Sequence, residues 1–342
     1  MKTYRYNVAN QNVFGTSAII DKFGNKNLDW QRTIDKNIGA DIAMLDNRLR
    51  ITLDYYYKDT DPLLVSISMP PSIGTSNIYT NFGRQVSSGW NGSLQGVVLK
   101  KKDLSWSVNF NFRTSKSEYR EIGDKLEYLN EKGSSKVLQR YYDGASPDDM
   151  WAVPSLGIDP ATGREVFLKK NGEQTFVYSA DDEVVVGCSR PDVEGIVGTS
   201  FYYKGFSASL NFRYRIGGQV MASALYDKVE NISSDMVFRN QDKRALYDRW
   251  QNPGDKAKFK AIQDQTSTPM SSRFIVIENT FSGESISLGY ETTGDWLRYI
   301  GADGLTVRAY MNEIFRISSF KEERGIEYPF ARSVTFSLSL RF

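Results

Sequence analysis

The chain has 342 residues, a formal net charge of +2, one cysteine and no histidine. So even a charge balance carries no footprint for nucleic acid, a lone cysteine excludes an internal disulfide or a thiolate cluster, and the commonest general base and metal ligand is missing. No apolar run approaches the roughly 18 residues a spanning helix needs, a test that is blind to strands whose lipid-facing residues alternate with polar ones.

Met1 is followed by Lys2-Thr3-Tyr4-Arg5-Tyr6-Asn7, with no apolar signal-peptide core behind it. Residues 1–26 read as a loop or the end of a preceding strand. Alternation then begins, weakly over 31–44 and clearly over 49–57, where Leu49, Ile51, Leu53, Tyr55 and Tyr57 share one face. It recurs weakly over 80–99 and strongly over 104–113, where Leu104, Trp106, Val108, Phe110 and Phe112 alternate with Ser105, Ser107, Asn109, Asn111 and Arg113. Segments 192–203, 206–214, 274–290 and 305–312 follow in the same style. The last strand, 334–342, is the strictest: Val334, Phe336, Leu338, Leu340 and Phe342 alternate with Thr335, Ser337, Ser339 and Arg341. Its length suits the roughly 9–11 residues of a tilted membrane strand.

The links between these nine strands alternate in length. Asp46-Asn47, 100–103 and 204–205 are short and 291–303, with Trp296 and Tyr299, is medium; 61–79, 119–191, 218–272 and 315–330 are long. With Phe342 in the periplasm, every long link falls outside and every shorter one inside, the arrangement of transmembrane barrels. The expected fold is all-β: an antiparallel transmembrane β-barrel segment of about nine strands of a larger barrel, with long outer loops containing some helix. Within the loops, 221–250 reads as partly helical, and Asp159-Pro160-Ala161-Thr162-Gly163 as the turn of a small hairpin.

Specific words in the sequence extend this reading. They include Asn27-Leu28-Asp29-Trp30, Asn47-Arg48-Leu49, Asn81-Phe82-Gly83 and Gly89-Trp90. Further along come Leu156-Gly157-Ile158-Asp159-Pro160-Ala161-Thr162-Gly163-Arg164-Glu165-Val166-Phe167, Tyr203-Lys204-Gly205-Phe206, Tyr214-Arg215-Ile216-Gly217-Gly218-Gln219 and Arg249-Trp250 with Pro253-Gly254-Asp255. The series closes on Glu327-Tyr328-Pro329-Phe330-Ala331-Arg332-Ser333-Val334. In this order the chain resembles the carboxy-terminal half of SusC/RagA-type TonB-linked (TonB-dependent) outer-membrane proteins. The resemblance implies a plugged barrel of about 22 strands that imports large nutrients, oligosaccharides or peptides. It also implies a SusD-like surface lipoprotein as a lid and TonB as energy coupler through an amino-terminal part.

On this reading residues 1–342 are the carboxy-terminal part of a receptor barrel, and the plug and amino-terminal barrel are absent. Either Met1 is internal to a longer protein or the gene is truncated, and the chain alone is not transport-competent. Val334, Phe336, Leu338, Leu340 and Phe342 are expected to be a signal read by the barrel-assembly machinery, with outer-membrane lipid as their surroundings.

No residue is nominated as catalytic, cofactor-binding or metal-binding, and no ligand contact is assigned. Tyr141, Tyr142, Trp151, Tyr247 and Trp250 could stack on sugars, but packing among loops is the simpler role. Asp148-Asp149 and Asp181-Asp182-Glu183 lack the spacing of a calcium loop and read as solvated; Cys188 reads as incidental, and Lys100-Lys101-Lys102 as a charged periplasmic turn. Two other functions stay open. One is a cell-surface or secreted β-protein binding carbohydrate; the other is a glycosidase needing two facing carboxylates.

Overall fold

The computed structural model describes residues 3–12, 15–22, 25–68, 77–127, 130, 140–233, 235–236, 238–320 and 332–342. Nine strands follow one another across one antiparallel sheet. They are β1 Arg32–Met44, β2 Leu49–Asp61, β3 Arg84–Lys101, β4 Leu104–Arg113, β5 Val193–Tyr203, β6 Phe206–Ile216, β7 Thr280–Thr292, β8 Gly304–Ser318 and β9 Val334–Arg341. Each expected strand thus has its counterpart. A tenth, Lys116–Arg120, continues β4 past a break at Thr114-Ser115 and pairs with the first residues of β3.

The register explains why the alternation matters. Ile42, Ile51, Leu94, Phe110, Val197, Phe212, Gly283 and Phe315 are successive cross-strand partners from β1 to β8. One residue further along, the corresponding row is Asp41, Thr52, Ser93, Asn111, Ile196, Arg213, Ser282 and Arg316. Directly opposed residues share a face, so at this height one face is apolar and the other is polar save for Ile196. A slip of one residue in any pair would exchange the two faces.

Short turns close one end. Leu45, Asp46 and Asn47 take φ of 54°, 54° and 62°, and Lys204 and Gly205 take 45° and 88°; left-handed turn residues suit tight hairpins because their twist matches the strands. The medium link carries a short 3₁₀ helix, Asp295–Ile300, ending on Gly301 at φ 70°. The described parts of the long links lie at the opposite end.

Three expectations are corrected. Residues 1–26 hold an antiparallel hairpin, Thr3–Asn12 with Gly15–Lys22, rather than a loop or a strand end. The strand expected over 80–99 starts at Arg84, because Gly83 turns the chain at φ 61° and Asn77–Asn81 pairs with Leu64–Ser68 instead. The strand expected over 274–290 starts at Thr280, since Ile275–Ile277 pairs with Gln219–Met221 in the outer loops.

Among the described residues the packed core lies mainly in those loops, with Tyr119 of the tenth strand joining it. One cluster joins Leu63, Val65, Tyr119, Ile122 and Leu126; a second joins Val229, Ile232, Ala245, Phe259 and Phe274. The sheet leaves both faces open, and the accessible surface is 22712 Å², against about 14,000 Å² for a compact monomer of this mass. Neither outer edge of β1 or β9 is paired among the described residues.

One close approach in the wall depends on a glycine. The Tyr214 hydroxyl on β6 reaches across Gly195 on β5 and donates to the Asn111 carbonyl on β4 at 2.9 Å. A Cβ on Gly195 would lie 1.9 Å from that carbonyl oxygen and 2.7 Å from the hydroxyl. Gly195→Ala is expected to cost about 1–3 kcal/mol through overpacking, read as a lower temperature for loss of the compact, fast-migrating form in unboiled gels. An unchanged temperature would show that β5 moves aside without cost.

Candidate functional site

Two surfaces are candidates: the polar face of the sheet and the outer-loop layer above it. The polar face is lined by donors and paired charges. Arg213 donates to Glu284 at 2.8 Å, Arg316 to Glu278 at 2.7 Å, and the Thr52 hydroxyl to Asp41 at 2.6 Å. Near the loop end, the row Arg113, Glu194 and Arg215 borders a cavity of about 410 Å³ that also meets Arg190 and Asp148. Arg190 pairs with Asp148 at 2.5 Å, and Arg215 lies 4.0 Å from Glu194 while donating to the Ser189 carbonyl at 3.1 Å. Such a wall can hydrogen-bond polar solutes.

The loop layer is one body because side chains from distant segments lock it. Arg273 donates to Glu165 at 2.8 Å and to Glu230 at 2.7 Å. Glu165 also accepts from Ser271 at 2.5 Å, and Glu230 from Thr268 at 3.0 Å. The two carboxylates are 6% and 0% exposed. Burial alone disfavours the charged Arg273 guanidinium, but the hydrogen bonds it donates to Glu230 and Glu165 outweigh it and its pKa is raised. Arg249, also buried, donates to the carbonyls of Lys260 at 2.9 Å and Glu230 at 3.0 Å.

A second lock joins the hairpin expected around Asp159 to the other long loop. Ser155–Ile158 and Glu165–Leu168 pair, and the Asp159 carboxylate accepts from the Thr162 hydroxyl at 2.6 Å. Gly163, at φ 70°, lies against the indole of Trp250, whose N–H donates to the Pro160 carbonyl at 2.8 Å.

The loop aromatics are therefore mostly packed. Tyr141 stacks near Tyr119 with centroids 5.4 Å apart, Tyr142 near Trp151 at 5.3 Å, and only Tyr247 of the five projects freely. The acidic runs are less solvated than expected: Glu183 is buried against Arg140 at 2.8 Å, and Asp148 is held by Arg190. Burial pushes the Cys188 thiol up, so it is a poor nucleophile near neutral pH. Val334, Phe336, Leu338, Leu340 and Phe342 are all exposed, along the sheet edge; Phe336 and Phe342 are 76% and 79% exposed. The Arg273 lock was not foreseen. Its only local signal was Arg273 within an apolar stretch and Glu165 within a motif otherwise read for its turn.

An antiparallel sheet, apolar on one face and polar on the other, with short turns at one end and packed loops at the other, is the wall of a transmembrane β-barrel. The comparisons agree. The family model described as TonB dependent receptor-like, beta-barrel matches residues 2–216, and the chain belongs to this family, whose members are outer-membrane receptors rather than enzymes. It is 26% identical to TonB-dependent receptor P39 of Formosa agariphila, over 88% of this chain and 33% of that protein. It is 25% identical to TonB-dependent receptor SusC of Bacteroides thetaiotaomicron, over 92% of this chain and 32% of that one. The structure of the RagAB peptide transporter superposes with a TM-score of 0.76 at 19% identity, over 94% of this chain and 35% of that chain. The chain thus spans about a third of the length of the curated relatives it matches.

Arg273→Met would leave Glu165 and Glu230 buried without their cation, a loss of roughly 3–5 kcal/mol. The expected result is protease cleavage within 119–191 and 218–272 while the sheet stays heat-modifiable. Unaltered protease resistance would mean that the apolar clusters alone hold the layer.

Proposed function

We propose that these residues form the carboxy-terminal part of the barrel of a TonB-dependent importer of large nutrients, oligosaccharides or peptides. Its partners are a SusD-like surface lipoprotein and TonB, the latter engaged through an amino-terminal part that also carries the plug. The observation that carries this reading is the two-faced nine-strand register capped by a locked loop layer, in a chain of the TonB-dependent receptor family. The similarity to a RagAB complex described as a peptide transporter supports the peptide class. Among the described residues the sheet has two unpaired edges and encloses no lumen, so on this reading the chain alone supports no ligand-specific flux. Outer-membrane location argues against the secreted form of the alternative, a cell-surface or secreted β-protein binding carbohydrate.

The test is growth of a deletion strain on single oligosaccharides or on peptides as sole carbon source. Growth should fail on one class, return with the complete gene, and vanish when the proton gradient is collapsed. A lipoprotein should co-purify with the receptor. Normal growth of the deletion strain on every member of both classes would overturn the proposal.

We also assign Val334, Phe336, Leu338, Leu340 and Phe342 to recognition by the barrel-assembly machinery. The support is an edge strand whose apolar side chains stand exposed up to the chain end. Deleting Phe342 should reduce the heat-modifiable band in outer-membrane fractions several-fold; an undiminished band would remove that residue from the signal.

A further inference from the structure

On β2 the apolar-face residues change character toward the loops: Leu53, then Tyr55, then Tyr57, then Asp59. The cross-strand partners of Tyr55 and Tyr57 follow this change, while Asp59 pairs with Ile34 and Val86. Tyr55 faces Trp90, with ring centroids 5.0 Å apart, and Tyr57 lies in one row with Lys36, Ser88 and Lys116. Apolar, then aromatic, then cationic side chains in that order mark the boundary between hydrocarbon and headgroups, here on the outer side.

The sheet splits at this boundary. Beyond Arg113 the chain turns at Thr114-Ser115, and Lys116–Arg120 leaves β5 to follow β3 alone. The split opens a cavity of about 590 Å³ over the apolar face, with Tyr55, Tyr57 and Trp90 among its floor residues and Lys116 on its wall. Its charged lining comprises Lys116, Arg120 and Arg190 against Glu118 and Asp192.

Three of the nearby carboxylates are engaged, while Asp192 also faces the cavity. Asp59 is held by Arg84, Glu118 by Arg120, and Asp35 by Lys58 at 3.5 Å. Lys116 is exposed, and the Lys36 ammonium sits 5.9 Å from the Tyr57 ring centroid. The Lys116 side chain thus lines the cavity at this height, and the Lys36 ammonium lies beside Tyr57, one of the lining residues.

We propose that this cavity binds the phosphate-bearing headgroup of an outer-leaflet lipid. Lys36 and Lys116 contact the phosphate, and Tyr55 and Trp90 meet the start of the acyl chains. The inference needs only the outer-membrane location of the sheet, not the import reaction.

Cys188, the single cysteine of the chain, lines the same cavity and reports on it. The complete protein, extracted from outer membranes in mild detergent, is alkylated with N-ethylmaleimide at mildly alkaline pH, where the raised thiol of Cys188 begins to ionise, and modification at Cys188 is followed by peptide mapping. The probes are dihexanoyl phosphatidylglycerol, dihexanoyl phosphatidylcholine and inorganic phosphate. The anionic lipid is expected to slow alkylation at concentrations where the other two do not. Lys116→Gln should weaken that protection about five-fold, and Lys36→Gln with Lys116→Gln about twenty-five-fold, while Lys102→Gln at the periplasmic end changes nothing. Equal protection by phosphatidylcholine, equal protection by phosphate alone, or no protection at all would each overturn the assignment. The comparison of probes on the unaltered protein decides it even if a variant fails to fold.

Discussion

The structure depends on cross-strand register. In a bilayer the backbone N–H and C=O groups of a strand have no water to turn to, so each must be paired with a neighbouring strand. That pairing also aligns side chains, because residues joined across the ladder point the same way. From Ile42 to Phe315 the ladder collects one apolar row, and from Asp41 to Arg316 one largely polar row. Backbone satisfaction and the separation of lipid from lumen are therefore met by the same bonds, and neither survives a slip of one residue.

This arrangement inverts the usual place of a hydrophobic core. The wall carries no interior of its own; its apolar side chains are solvated by lipid. Among the described residues tight protein packing lies mainly in the loops, around Ile122 and Leu126 in one cluster and Val229 and Phe274 in the other. The wall holds the loop ends in place, and the loops then pack as a small soluble protein would, with buried ion pairs at Arg273 and Arg140.

The wall was legible in the sequence because a period of two is local: Leu104 to Arg113 announces a strand without reference to any other segment. The Asp159–Gly163 turn was legible for the same reason, since Asp, Pro and Gly act on their own backbone. Where an apolar run lacked alternation, the boundary was misread. Ile275-Val276-Ile277 looks like the start of β7 but pairs with Gln219–Met221. The loop locks were not legible at all. Arg273 and Glu165 are 108 residues apart, and Trp250 and Pro160 are 90 apart; each pair is specified by the folded scaffold, and no spacing in the chain records it. The polar cavity beside Arg113, Glu194 and Arg215 has the same origin, as three strands each contribute one residue to it.

The ties from Trp250 to the Asp159–Gly163 turn and from Arg273 to Glu165 and Glu230 have a thermodynamic consequence for recognition. Two long connections that would otherwise wander independently are ordered before any solute arrives. A solute that meets them therefore loses its own freedom but does not have to remove theirs. Immobilising a rotamer-rich side chain costs about 0.5–1.5 kcal/mol, and a layer that has already met that cost during folding can hold a weakly interacting, heavily hydrated molecule with few direct contacts.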